Sequence, residues 1–113
     1  MTDEEEAMDM PDAVKAYFDA DRRNDPDALV AVFSAGAVVK DEGKRHEGVG
    51  EIRSWWGAAK EKYQHAAEPI ETTGAGDTVS VRATVTGQFP NSPVTLDFSF
   101  TIKDDRIVGL EIG

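Results

Sequence analysis

The sequence predicts an α+β fold: three N-terminal helices packed on a strongly curved, mostly antiparallel sheet, forming a cone with an internal cavity. Three observations carry that expectation. Apolar residues recur at helical spacing in three segments before Pro69, and beyond it the pattern alternates with a period of two. The later segments are joined by short turns, which makes successive strands antiparallel neighbours. One face of those strands is apolar, and the helices are the elements available to cover it.

The elements follow in order. Asp9-Met10-Pro11 reads as a cap with proline in the first turn, opening a helix to about Arg23 with Val14, Tyr17, Phe18 and Asp21 on one face. Asn24-Asp25-Pro26-Asp27 starts a second, short helix over Ala28 to Phe33, seated by Leu29, Val32 and Phe33. Ser34-Ala35-Gly36 breaks it, and Ala37 to Asp41 reads as a strand that sends Ala37, Val39 and Asp41 to the same side. After a turn at Glu42-Gly43-Lys44 comes a brief return over Arg45 to Glu47. A third helix then runs from about 50 to 66, ended by Pro69, with Ile52, Trp55, Trp56, Ala59 and Tyr63 on one stripe. Strands are expected at Ile70 to Thr73, Thr78 to Phe89, Val94 to Lys103 and Arg106 to Ile112, with turns at Gly74 to Asp77, Pro90 to Pro93 and Asp104-Asp105.

A chain of 113 residues makes one domain, expected over 10–113 behind a disordered acidic tail at 1–9. The formal net charge is −10, and six acids fall in the first twelve residues, which hold no Lys or Arg. That balance repels phosphate backbones and anionic lipid, so neither nucleic acid nor a membrane surface is an expected partner. Cysteine is absent, which excludes disulfides, thiolate metal sites and a cysteine nucleophile. His46 and His65 match no metal-ligand spacing, so no metal is expected. The apolar run ALVAVF is far shorter than the roughly 20 residues that span a bilayer. The acidic N-terminus lacks the features of a secretion signal, and a cytoplasmic location is the expectation.

The stretch AVVKDEGKRHEGVGEIRSWW places an acid, Asp41, at the end of an apolar strand beside a helix with two tryptophans. A carboxylate in an apolar pocket is a candidate general base. The order of elements, the Asn-Asp-Pro-Asp-Ala-Leu helix start, the strand ending in an acid, Glu-Gly-Val-Gly-Glu-Ile-Arg-Ser-Trp-Trp and the Thr-Gly-Gln-Phe hairpin carry a resemblance. From about Pro11 to Gly113 the chain resembles the SnoaL-like branch of the nuclear-transport-factor-2-like superfamily, with a cystatin-like fold. By motif the chain also resembles ketosteroid isomerase, a well-understood member of that superfamily.

The resemblance implies a site. Asp41 corresponds to the base that moves the proton, and Tyr17 to the tyrosine that stabilises the enolate oxygen. Phe18, Phe33, Val39, His46, Trp55, Trp56, Tyr63, Val81, Phe98 and Phe100 are the expected pocket residues, for a small apolar ligand of polyketide or steroid type. The family's second oxyanion donor, an acid late in the sheet, has only Asp97 as counterpart. Strand parity turns Asp97 outward, toward Arg82, and gives the inward place to Phe98. No cofactor is needed for such chemistry. The resemblance also implies a homodimer through the polar sheet face.

Structural readings stand beside these. Tyr17 can be a core tyrosine, Asp41 an acceptor in the Asp-Glu-Gly turn, and the tryptophans core and pocket wall. His46 can line the cavity or stand half exposed, and His65 reads as structural. Three functions remain open: an isomerase, cyclase or hydratase doing proton transfer next to a carbonyl, a non-catalytic binder, and a structural dimerisation module.

Overall fold

The computed structural model describes residues 10–113. The tail expected over 1–9 and the cap expected at Asp9 lie outside the described residues. The order is α1 (Asp12–Arg23), α2 (Pro26–Ala31), β1 (Phe33–Asp41), β2 (Lys44–Glu47), α3 (Val49–Tyr63), β3 (Ala66–Ala75), β4 (Thr78–Thr86), β5 (Val94–Lys103) and β6 (Arg106–Ile112). The strands make one mixed sheet in the order β2-β1-β6-β5-β4-β3, open at both edges. Strands β3 to β6 form the expected antiparallel meander. Strand β1 lies parallel to β6, with Val39 opposite Leu110. This is the α+β cone of the nuclear-transport-factor-2-like fold. Among the described residues, no helix is long and apolar enough to cross a membrane.

Helix α1 buries Ala13, Val14, Tyr17, Phe18, Ala20 and Asp21, a stripe at spacings of three and four residues. Asn24 ends it in the left-handed conformation, with its N–H donating back to the last turn. Helix α2 starts as Asp25 accepts a hydrogen bond from the Ala28 N–H at 3.1 Å, with Pro26 in its first turn. Helix α3 follows Gly48, whose φ of 90° is open to glycine at little cost. It buries Ile52 and Trp56, one turn apart.

Several boundaries differ from the sequence reading, and long-range pairing explains them. Helix α2 stops at Ala31 and β1 starts at Phe33, because Phe33 already pairs with Ile107 of β6, ahead of an irregularity before Val38. Helix α3 ends at Tyr63, capped by Gln64, whose N–H donates to the Lys60 carbonyl at 2.8 Å. Pro69 therefore sits inside β3 instead of ending a helix. Strand β3 is a sheet edge with a shift of register between Pro69 and Glu71, where the missing N–H is tolerated. Strand β4 stops at Thr86, since Gly87 packs against the exit of α3. A Cβ there would stand 2.7 Å from the Tyr63 carbonyl oxygen.

The core lies between helices and sheet. Val79, Val81, Ala83 and Val85 of β4, Phe98 and Phe100 of β5, and Ile107 and Leu110 of β6 are buried on the helix side. On the other side Arg82 stands opposite Asp97, both exposed, and its Nε donates to Asp97 Oδ1 at 3.1 Å. Asp97 thus points outward, as strand parity requires.

Candidate functional site

A cavity of about 460 Å³ opens between α1, α3, the β1–β2 hairpin and the ends of β4 to β6. That volume falls in the range of small-molecule sites. Val85, Phe89, Val94, Leu96, Phe98, Trp55, Tyr63 and Ile112 give it an apolar wall, into which Tyr17, Asp21, Asp41, His46, His65 and the lysines 44 and 62 bring polar groups. The tryptophans do not fill it. Trp55 forms wall, whereas Trp56 is buried behind it.

Asp41 reaches the cavity because β1 alternates: Ala37 and Val39 are buried on the same side, and Asp41 is next in that series. Glu42 and Gly43, both at positive φ, then make a tight turn that returns the chain at Lys44. The half-buried Asp41 carboxylate accepts a hydrogen bond from the Trp55 indole Nε1 at 3.0 Å. His46, opposite Val39 in the hairpin, lies against Trp55 with ring centroids 5.9 Å apart. The indole thus fixes the carboxylate, and the imidazole covers the indole.

Tyr17 is 2 % exposed. Its ring meets Phe18, Phe33 and Phe100 edge to face at centroid distances of 5.1, 6.0 and 5.4 Å, which locks the side chain. Burial raises its phenol well above the ordinary value of 10.0, and the Asp21 and Asp41 carboxylates push it further the same way. Tyr17 is therefore a neutral hydroxyl at every physiological pH, able to donate a hydrogen bond.

Asp21, one turn further along α1, is the only charged residue buried among those described, at 1 % exposure. Oδ1 accepts from the Trp56 indole Nε1 at 2.9 Å and from His65 Nε2 at 3.1 Å, and Lys60 Nζ lies 3.2 Å away. Oδ2 accepts from the Ala67 backbone N–H at 3.3 Å. Burial works to raise this carboxyl. The hydrogen bonds from His65 and Trp56, and the charges of His65 and Lys60, outweigh it and leave Asp21 below its ordinary value. Asp21 is a carboxylate, and Lys60 also donates to the His65 carbonyl, tying the exit of α3 to the same cluster.

The structure brings Tyr17, Asp41, His46, Trp55, Tyr63 and Phe98 to one cavity. Phe18, Phe33, Val39, Val81 and Phe100 are packed in the core behind that wall, as is Trp56. Strand and helix parity had marked them as inward, but the cavity takes the end of the cone, not its whole interior. Asp21 and His65 were missed as a pair. An acid on the apolar stripe of α1, one turn after Tyr17, was the available signal. Nothing local marks His65, 44 residues away from its partner. Among the described residues, no group of three or more His, Asp or Glu is placed to hold a metal ion.

This fold and cavity define a small-molecule-pocket protein of the nuclear-transport-factor-2-like type. The chain belongs to the SnoaL-like domain family, whose model matches residues 14–110. It is similar to a candidate polyketide cyclase from Sinorhizobium meliloti, at 58% identity over 95% of this chain and 98% of that one, with a TM-score of 0.92. A Catenulispora acidiphila protein with a ketosteroid isomerase-like fold, solved with trimethylamine, is similar at 20% identity, 93% and 86% coverage and a TM-score of 0.82. A cystatin-fold protein from Novosphingobium aromaticivorans is similar at 24% identity, 89% and 94% coverage and a TM-score of 0.78. No curated protein matches the chain.

Proposed function

We propose that the cavity carries out cofactor-free proton transfer next to a carbonyl, with Asp41 as base and Tyr17 as the donor that stabilises the enolate oxygen. One observation carries the reading: Tyr17 and Asp41 line the same open cavity, whose wall is otherwise largely apolar. A neutral phenol aimed at a developing oxyanion, in a largely apolar site, is the arrangement that lowers such a barrier. Trp55 holds the carboxylate by one oxygen, which leaves the other free to take a proton. The 58% identity to a candidate polyketide cyclase is in keeping with enolate chemistry on a small keto compound.

The test is deuterium uptake next to the carbonyl of benzylacetone in heavy water, followed by NMR. The wild type exchanges these hydrogens, Asp41→Asn does not, and Tyr17→Phe is slower by on the order of 10² to 10³. Saturable binding of benzylacetone with exchange at the buffer rate would overturn the reading in favour of a non-catalytic binder.

The outer sheet face is proposed as the contact of a homodimer. In support, it carries an open groove between Val38, Lys40, Arg45, Ser99, Thr101 and Glu111, and beside it the Arg82 cluster with Asp97 and Glu71.

A further inference from the structure

Asp21 and His65 stand on the cavity wall without a part in the proton transfer described above. Their geometry fixes how the histidine works. An ionised carboxylate has only lone pairs to offer, so His65 Nε2, 3.1 Å from Asp21 Oδ1, carries the hydrogen of that bond. Nδ1 of the neutral His65 ring is then the nitrogen without a hydrogen. The ring is held from several sides: Asp21 itself is fixed by the Trp56 indole and the Ala67 N–H, and Lys60 grips the His65 carbonyl.

A structural clamp does not require this composition. Replacing a buried ionic cluster by apolar side chains of similar volume is often neutral or stabilising. Here a carboxylate, an ammonium group and an imidazole are gathered beside a cavity whose wall is otherwise mainly apolar. The His65 side chain is 18% exposed, so the ring remains in reach of a ligand. Tyr17, one turn before Asp21 on α1, lines the same cavity as Asp41 and His65.

We infer that His65, positioned by Asp21, is a second proton-transferring group, and that the cavity accepts a β-hydroxy carbonyl compound and eliminates water from it. The inference rests on the proton transfer assigned to Asp41 and Tyr17. Asp41 takes the hydrogen on the carbon next to the carbonyl as a proton, and the electron pair of that C–H bond passes into an enolate whose oxygen Tyr17 holds. The enolate collapses to a carbon–carbon double bond as the β carbon–oxygen bond breaks. The leaving hydroxyl takes the Nδ1 proton of the His65 imidazolium and departs as water. Asp41 is left protonated and His65 neutral, and solvent at the cavity mouth returns the proton from one to the other. No oxidant, reductant or further reactant enters.

The test uses two probes that differ by one hydroxyl group. Benzylacetone reports exchange alone. The aldol adduct of benzaldehyde and acetone reports water loss, through the absorbance of benzalacetone. Wild-type protein eliminates water from the adduct. His65→Gln, which keeps a donor toward Asp21, slows that loss on the order of 10²-fold, at least tenfold more than it slows exchange in benzylacetone. Independently of any variant, the imidazole nitrogen NMR signals of the wild type show a hydrogen on Nε2 of neutral His65. Exchange in benzylacetone without water loss from the adduct would overturn the inference and leave the proton transfer standing. So would equal slowing of both reactions, release of benzaldehyde and acetone in place of benzalacetone, or a hydrogen found on Nδ1 of the neutral ring. Absence of exchange with the wild type overturns both readings.

Discussion

The indole Nε1 of Trp56 donates to Asp21 Oδ1 at 2.9 Å, joining the middle of α3 to the last turn of α1 across 35 residues of sequence. This bond sits at the centre of a cluster that also binds Lys60, His65 and the start of β3, so three elements meet on one carboxylate. Its loss has graded consequences. Trp56→Phe keeps the packing and removes one donor to a buried charge, and costs about 1 to 3 kcal/mol. Asp21→Ala strands the Lys60 ammonium, whose side chain is 13% exposed, and costs about 3 to 5 kcal/mol. Urea unfolding followed by tryptophan fluorescence measures both, with the larger fall in midpoint for Asp21→Ala.

The same carboxylate makes stability depend on acid. Burial works to raise the Asp21 carboxyl, but the hydrogen bonds from His65 and Trp56 and nearby positive charge together outweigh it, so the folded state holds the group below its ordinary value. The unfolded chain binds its proton near the usual value of about 3.9. A group depressed in the folded state stabilises fully above the unfolded value, and the contribution is lost as pH falls through the folded one. Unfolding free energies of wild type and Asp21→Asn therefore converge as the pH falls through the ordinary carboxylate range and below it. A gap that stays constant over that range contradicts the assignment.

Which parts of this were legible in the sequence follows from the range of the forces involved. The alternation Val79, Val81, Ala83, Val85 and the Asp25-Pro26 helix start are local signals, and both appear in the fold as read. The outward turn of Asp97 followed from parity alone. The position of Pro69 was misread, because its place in an edge strand depends on β4 lying alongside. The Asp21–His65 pair was invisible for a similar reason: its two halves are brought together only when α3 returns the chain to the end of α1. Of the residues expected in the pocket, parity could say which pointed inward, but not which of those would meet a neighbour and which a void.

In the same cavity, the Trp55 indole holds Asp41 at 3.0 Å. Trp55→Phe leaves the carboxylate and most of the apolar wall, and removes the donor that sets its orientation. A small misplacement of a reacting group can cost up to about 10²-fold. The expected outcome is slower deuterium uptake by benzylacetone, with binding of the ketone weakened far less. Unchanged uptake means that the indole bond does not position the base.

The remaining prediction concerns the outer sheet face. Thr84 of β4 stands opposite Thr95 of β5, in the same strand pair as Arg82 and Asp97 and two residues from that ion pair. Arg82 and Asp97 bond to each other within one chain, and both are about half exposed, so their pairing alone contributes little to stability. A second copy packed on this face would exclude water from the pair and from the threonines around it. It would also bury any charge added at Thr84, which is costly without a partner. The chain mass is 12.3 kDa, and light scattering coupled to size exclusion is expected to give about twice that value for the wild type. Thr84→Lys is expected to lower the measured mass to that of one chain while leaving circular dichroism unchanged, because the position is on the sheet surface and not in the core. A wild-type mass of one chain at all concentrations removes the dimer, and a Thr84→Lys protein that keeps twice the chain mass moves the contact to another face.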